Sequence, residues 1–168
     1  FLLNHKRNEI YTHQPRLVDV LLRPDVMVFE PLWTLIPSNK AILPVLWMLF
    51  PDHPYLLESR FELTEGLSSA GYVIKPIVGR CGNNISLIDK SDQVLAETGG
   101  KFEAQDQIYQ KMFKLPDIDG LRVQVCSFSV DGYDAGVCVR CDHSLIIRSE
   151  SDLLALRIVP DEYILNQK

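Results

Sequence analysis

Two lysines of this 168-residue chain lie where a cation could hold phosphate groups. Lys40 is close to the start of an apolar helix predicted from Ser38, a plausible N-cap, to Phe50. The free amide hydrogens of a helix N-terminus attract anions, so a lysine beside them makes a reasonable phosphate site. A lysine that simply extends into solvent is the more common arrangement. Lys75 lies inside a predicted strand, residues 72–78, where it either reaches the rim of a sheet or has a partner, and the residues favour neither.

A glycine-bracketed turn, Gly79-Arg80-Cys81-Gly82, follows this strand. Glycines allow backbone amides to approach a ligand closely, as phosphate-binding loops require. The turn lacks the glycine-lysine-serine or threonine ending of a Walker sequence. An ordinary hairpin turn has the same composition, and taken alone it is the better interpretation.

Arg140 shares a predicted strand face with two small residues, Gly136 and Cys138, which leaves room beside its guanidinium. Such an arginine suits the stabilisation of charge on a transferring phosphoryl group. A surface hydrogen-bonding role is the alternative. Gln124, on the preceding strand, meets Arg140 only if the hairpin is irregular or bulged, because a one-residue shift reverses the facing of side chains.

The four cysteines are Cys81, Cys126, Cys138 and Cys141. Cys138 and Cys141, followed by His143, resemble half of a zinc site, but no second CxxC or HxxxH completes it. A spacing of three along a strand also places two thiols on opposite faces. We therefore expect free thiols and no metal site.

The elements that position these residues are short. Helices are predicted over residues 15–22, 38–50 and 101–113, the last from three-to-four spacing of Phe102, Gln105, Tyr109 and Met112. The helix ending at Phe50 is apolar all round and should be buried on most sides, with Pro44 tolerated only near its first turn. Strands are predicted over residues 26–29, 72–78, 84–89, 121–130, 135–140 and 144–148. The pattern indicates two antiparallel hairpins, the second joined around Asp131-Gly132, and a mixed α+β fold.

Composition excludes several classes of protein. The chain has a net charge of −5, with 46% hydrophobic and 23% charged residues. An acidic chain lacks the clustered basic residues that nucleic acids and anionic membranes attract. The longest apolar run, residues 41–50, is far below the ~20 residues of a bilayer-spanning helix. We expect a cytoplasmic protein with no nucleic-acid or membrane partner.

Several stretches together resemble the glutathionylspermidine synthase family. They are residues 29–44 (FEPLWTLIPSNKAILP), 73–85 (VIKPIVGRCGNNI), 100–102 (GKF), 108–110 (IYQ), 124–126 (QVC) and 144–147 (SLII). They occur in the family's order with compatible spacing, over nearly the whole chain from about residue 16 to about residue 152. The absence of an initiator Met fits a piece of something longer. The resemblance implies that residues 1–168 are the C-terminal portion of an ATP-grasp synthetase domain.

The reaction that the resemblance implies is an ATP-dependent ligation. ATP would phosphorylate the glycine carboxylate of glutathione, and an amine of spermidine would attack the acyl phosphate. Alternatives are a ligase for another acid or amine, or a non-catalytic nucleotide-binding module. A homodimer is possible, and the isolated 168 residues should have no ligase activity.

The resemblance also assigns site residues. Lys40 and Lys75 would contact ATP phosphates, Cys81 and Gly82 would belong to a flap over them, and Arg80 would also bind ATP. Arg140 would be catalytic, stabilising the transferred phosphoryl group. The remaining nucleotide contacts would be Gln110, Lys111, Met112, Phe113, Gln124, Leu145, Ile146 and Ile147. Magnesium is implied as well, with its ligands expected upstream of this chain, because phosphoryl transfer from ATP depends on that ion.

Overall fold

The computed structural model describes residues 16–29 and 32–165, and the chain divides into two compact units, Phe1–Leu35 and Ile36–Lys168. In the first unit, helix α1 (Leu17–Leu21) confirms the helix predicted there, and a 3-10 turn follows at Leu32–Thr34. The strand predicted over residues 26–29 is wrong, since these residues are irregular. A strand needs a hydrogen-bonded partner, and the described part of this unit contains no other strand.

Two short helices replace the single helix predicted from Ser38. Helix α2 (Leu35–Ser38) ends where the N-cap was expected, and α3 (Ile42–Leu49) starts after Asn39, whose side-chain oxygen accepts a hydrogen bond of 2.8 Å from the Ala41 amide. Pro44 lies in the first turn of α3, as its missing amide hydrogen requires. The expectation of burial on most sides is wrong, since Met48 is 70% exposed.

No single helix among the described residues is long and apolar enough to cross a membrane. The segments Leu32–Ser38 and Ile42–Leu49 reach that length and composition only when counted together, as a bent pair.

The first sheet is antiparallel and has the strand order β1-β5-β2-β3-β4. Its strands are β1 (Ser59–Arg60), β2 (Tyr72–Pro76), β3 (Ser86–Ile88), β4 (Val94–Glu97) and β5 (Gln107–Lys111). The β2–β3 hairpin was predicted, whereas β4 was missed. The helix predicted over residues 101–113 is wrong: residues 107–111 form a central strand in which Ile108 and Gln110 alternate with more exposed neighbours. Pairing with β2 and β1, which lie distant in sequence, overrides the local helical spacing.

Helix α4 (Glu65–Ala70) packs on this sheet. The Thr64 hydroxyl caps it by accepting a hydrogen bond of 3.3 Å from the Leu67 amide. Leu67, Tyr72 and Ile88 form the core of this layer, with Ile74 and Tyr109 packed against them.

The second sheet is an antiparallel meander of β6 (Asp117–Ile118), β7 (Leu121–Val130), β8 (Tyr133–Asp142) and β9 (Asp152–Leu154). The β7–β8 hairpin turns at Asp131 and Gly132, whose φ angles of 52° and 79° suit a tight hairpin turn. The strand predicted over residues 144–148 is wrong. The Asp142 carboxylate instead accepts hydrogen bonds from the Ser144 amide and the Ser151 hydroxyl, which folds this segment into a loop before β9. A short helix, α5 (Asp161–Leu165), follows. Helices with antiparallel sheets confirm the mixed α+β class.

Candidate functional site

A cavity of about 390 Å³ lies between the two sheets. Its lining residues come from β2, β3, β5, β7 and β8, from the loops after β2 and β8, and from the segments before β1 and after β5. Eleven of the residues assigned from the family resemblance line it: Lys75, Cys81, Gly82, Gln110, Lys111, Phe113, Gln124, Arg140, Leu145, Ile146 and Ile147. Segments more than seventy residues apart in sequence therefore meet at one place.

Lys75 projects from β2 into this cavity and is largely buried. Its Nζ donates a hydrogen bond of 2.6 Å to Oε1 of Gln110, on the paired strand β5. Loss of hydration, and secondarily the nearby charge of Lys40, lowers the pKa of Lys75 to about 8. The choice left open for Lys75 is thus decided: it has a partner inside the sheet and does not reach the rim. An anionic ligand would restore the preference for its charged form.

Ser59 holds the other end of the Gln110 amide, and sequence reasoning missed it. Nε2 of Gln110 donates to the Ser59 hydroxyl at 2.9 Å, and that hydroxyl donates to the Leu57 carbonyl at 2.9 Å. Because an ammonium can only donate, this chain fixes which amide atom of Gln110 faces Lys75. Ser59 is 1% exposed, yet it sits in a two-residue strand between two charged residues, where nothing in the sequence marks it.

Lys40 lies outside the cavity lining, beside the start of the loop that follows β2. Its Nζ donates to the Gly79 carbonyl at 2.8 Å, and its backbone amide donates to the Ile77 carbonyl at 2.8 Å. Burial lowers the pKa of Lys40. The lysine is therefore partly buried and bonded, which contradicts the common arrangement of a lysine extending into solvent.

The loop at Cys81 and Gly82 contacts the segment that follows β8. Both residues have positive φ angles, 53° and 69°. A Cβ atom on Gly82 would lie 2.4 Å from the Ile147 carbonyl oxygen, so only glycine permits this approach. The Thr98 hydroxyl donates to the Gly82 carbonyl at 2.5 Å. The loop thus closes one side of the cavity, while Arg80 beside it is exposed and does not line it.

Gln124 and Arg140 are direct partners in the β7–β8 ladder and so share a face. The ladder shifts register between Phe128 and Ser129, which is the irregularity that the sequence required. The predicted pairing of Gln124 with Arg140 is confirmed. The Arg140 guanidinium also donates to the Arg148 carbonyl, which holds it beside the loop before β9.

An apolar cavity of about 340 Å³ adjoins the first and shares Leu87, Phe113, Leu115 and Leu145 with it. Met112 lines this second cavity and not the first. Residues 110–115 lead from β5 toward the second sheet. They connect the polar end of the site, which is the cavity with Lys75 and Arg140, to its apolar end, which is the second cavity.

Within residues 16–29 and 32–165, no three His, Cys, Asp or Glu side chains are grouped as a metal site would need. Cys141 is buried, and Cys138, on the opposite face of β8, is the ladder partner of Cys126. All four thiols are free.

A cleft between two antiparallel sheets, with a largely buried lysine and a paired arginine facing it, defines an α+β protein with basic side chains in its cleft. The chain belongs to the glutathionylspermidine synthase preATP-grasp family, whose model matches residues 10–159.

Curated relatives agree with this membership. The chain is 53% identical over 155 residues to the bifunctional glutathionylspermidine synthetase/amidase of Escherichia coli (strain K12), an alignment covering 92% of this chain and 24% of that protein. It is 43% identical over 145 residues to the trypanothione synthetase of Crithidia fasciculata, covering 85% of this chain and 22% of the relative. For the glutathionylspermidine synthase of the same organism the identity is 29% over 187 residues, covering 88% and 26%. The chain spans about a quarter of the length of these relatives.

Proposed function

We propose that this chain forms much of the ATP site of an ATP-dependent carboxylate–amine ligase. The ligase would join the glycine carboxylate of glutathione to an amine of spermidine through an acyl phosphate. The observation that carries the proposal is the single cleft into which Lys75, Gln110, Gln124 and Arg140 all project. The names of the relatives, which are synthetases of glutathionylspermidine and trypanothione, support the choice of substrates. An ATP-grasp arrangement of the two sheets around the nucleotide is part of the proposal.

The phosphates are assigned to the Lys75 end of the cleft. The Lys75 ammonium has lost most of its hydration and donates to the side-chain oxygen of Gln110. A phosphate oxygen would accept a hydrogen bond from this ammonium, either in place of the Gln110 oxygen or together with it. The Cys81–Gly82 loop lines the same cavity. Its closeness to the chain at Ile147 gives the loop a fixed position from which its backbone amides can donate.

Arg140 is assigned to the transferred phosphoryl group. Its guanidinium is anchored at one nitrogen by the Arg148 carbonyl, which leaves its other donors for the ligand. Donors that are already in place before charge develops lower the barrier most. Gln124, directly opposite, supplies an amide on the same face and orients the same group.

The adenine ring is assigned to the apolar end. Phe113, Leu115 and Leu145 line both cavities and offer flat or branched apolar surface. The Lys111 and Met112 amides already donate to the Glu58 and Gly71 carbonyls, so the backbone after Met112 is the part of this segment that would orient the ring with its polar groups.

Magnesium would neutralise the phosphates of ATP. The described residues do not fit that ion, because they contain no cluster of three carboxylate, imidazole or thiolate ligands. We therefore assign no step to the metal here.

The test is ATP-dependent amide formation by the full-length protein, followed by mass spectrometry with glutathione and spermidine, together with nucleotide affinity. Lys75→Met should weaken nucleotide binding about 10–100-fold, the worth of a hydrogen bond to a charged group. Arg140→Lys should lower kcat about 100-fold with the KM for ATP little changed. Lys90→Met, an exposed lysine in the turn after β3, is the matched control and should change neither. Unchanged affinity in Lys75→Met with unchanged kcat in Arg140→Lys would contradict the proposal.

A ligase for another acid or amine is the second candidate, because the relatives carry names of two different synthetase activities. The same assay with a panel of thiol peptides and polyamines separates the two. Nucleotide binding without any ATP consumption across that panel would instead favour a non-catalytic module.

A further inference from the structure

Cys126 of β7 and Cys138 of β8 are directly opposite each other in the ladder. They lie on the face that carries Gln124 and Arg140, two ladder pairs further along the same two strands. Both thiols are free and neither is fully buried. The site described above uses neither of them.

The separation of the two cysteines suits a covalent bond. Directly opposed residues of antiparallel strands have Cα atoms about 4.5–5.5 Å apart, inside the range of about 4.4–6.8 Å over which disulfides form. Burial and a hydrogen bond to the Cys138 thiol raise the pKa of Cys126, so the two side chains already interact. Closure therefore requires little movement of either strand.

A reagent can reach the pair from one side. The next ladder pair on this face is Phe128 with Gly136, and a Cβ atom built on Gly136 would have no atom within 4 Å. The missing side chain leaves open space beside Cys138. Cys141 differs because it is buried, and Cys81 differs because it is exposed but lies in a loop without a cysteine partner in the ladder.

We propose that Cys126 and Cys138 form a thiol-modification site, which low-molecular-weight disulfides oxidise to a cross-strand disulfide beside Arg140. The thiolate of one cysteine attacks the reagent R–S–S–R, forming a mixed disulfide and releasing one R–SH. The second cysteine attacks the mixed disulfide, forming the Cys126–Cys138 bond and releasing the second R–SH. The two protein sulfurs lose two electrons, the reagent gains them, and the two thiol protons leave on the released R–SH molecules.

The location of the two cysteines suggests a role for their oxidation, and this role rests on the proposed function. If the ligase acts on glutathione, a thiol, its cleft works in the presence of that thiol's disulfide form. The ratio of disulfide to thiol among the substrate molecules then determines whether Cys126 and Cys138 are joined, and the bond links the two strands that carry Gln124 and Arg140.

The experiment maps disulfides and needs no ligase activity, so it stands apart from the test of the proposed function. Full-length protein is treated with bis(2-hydroxyethyl) disulfide, quenched with a maleimide and digested for mass spectrometry. We expect a peptide pair linked through Cys126 and Cys138 that has lost two hydrogen atoms and is cleaved by dithiothreitol. Cys138→Ser should instead hold a hydroxyethyl mixed disulfide on Cys126, because the resolving thiol is gone. Cys81→Ser is the matched control and should still give the linked pair.

Three results would overturn the proposal. One is wild-type protein in which Cys126 and Cys138 remain free while Cys81 is fully modified. Another is a pair of stable mixed disulfides that never close. The third is loss of the linked pair in Cys81→Ser, which would make Cys81 the true partner. The wild-type mapping decides the matter even where a variant fails to fold.

Discussion

Gln124 faces Arg140 because Ala135 has no partner in the β7–β8 ladder. The turn pairs Val130 with Tyr133 and Ser129 with Asp134, and a regular ladder continued from there would place Gln124 opposite Val139. The extra residue in β8 shifts the pairing, so that Phe128 lies opposite Gly136 and Arg140 reaches the face of Gln124. In a hairpin of this length, the unmatched residue therefore sets the register that brings Gln124 and Arg140 together.

Deletion of Ala135 should leave nucleotide binding within a few-fold of wild type, since a regular ladder in the shortened hairpin still pairs Gln124 with Arg140. Ser127 is an exposed residue of β7, and its deletion should abolish binding. With β7 one residue shorter and β8 unchanged, Gln124 would lie opposite Val139 and no longer face Arg140. Nucleotide titration of the two deletion variants checks this. Equal affinity in both would mean that the facing of Gln124 and Arg140 is irrelevant to the ligand.

Ser59→Ala should destabilise the protein by about 1–3 kcal/mol, the cost of leaving a buried donor unpaired, here Nε2 of Gln110. It should also weaken nucleotide binding, because the Gln110 amide is then free to turn its oxygen away from Lys75. Urea unfolding and nucleotide titration measure the two effects. Ser69→Ala is the matched control, since that hydroxyl lies exposed on α4, and it should change stability by less than about 0.5 kcal/mol. A Ser59→Ala protein as stable as this control would rule out the chain from Ser59 to Lys75.

Lys75→Met should stabilise the ligand-free protein at pH 7. The pKa of Lys75 is about 8 in the folded protein and 10.5 in a model compound. Between these values the unfolded chain binds more protons, so the wild-type protein gains stability as pH rises from about 8 to 10.5. Below pH 8 the folded state carries the full cost of a buried charge, which methionine removes. Urea unfolding at pH 7 and pH 10 should show a gain for Lys75→Met at the lower pH that shrinks at the higher. A variant that is less stable than wild type at pH 7 would show that the ammonium is well compensated.

Gly82→Ala should lower both stability and nucleotide affinity. An alanine there would be held at a φ of 69°, at a cost of about 1–2 kcal/mol, and its Cβ would meet the Ile147 carbonyl. Gly99→Ala is the control, because a Cβ on Gly99 has no neighbour within 4 Å. Thermal unfolding and nucleotide titration of the pair check it. Equal effects of the two substitutions would argue against close contact between the loop and Ile147.

The hairpins could be predicted from the sequence because their signals are local. Asp131-Gly132 fixes the β7–β8 turn, and the glycines around residues 79–82 separate β2 from β3. The strand at residues 107–111 could not, because its partners in β2 lie about 35 residues away and the spacing of its apolar residues also fits a helix. Likewise, the loop at residues 144–148 forms because the Asp142 carboxylate accepts hydrogen bonds from Ser144 and Ser151. The strand propensity of the residues in this segment does not predict those contacts.

The same division holds for the site. Lys75 and Arg140 are noticeable in the sequence because a charged residue inside a strand usually requires a partner or a ligand. The family resemblance then predicts their roles. Ser59 is a small polar residue that becomes informative only when Gln110, 51 positions later, is brought against it. Its role belongs to the packing and could not be found by pattern.

The Lys40 ammonium already has an acceptor, the Gly79 carbonyl. Because an ammonium has three hydrogen atoms to donate, a phosphate oxygen can accept a second one while the Gly79 carbonyl keeps the first. A phosphate bound at Lys40 would therefore be joined through this side chain to the backbone that leads into Cys81 and Gly82. Lys40 would thus tie the position of that loop to the presence of the ligand.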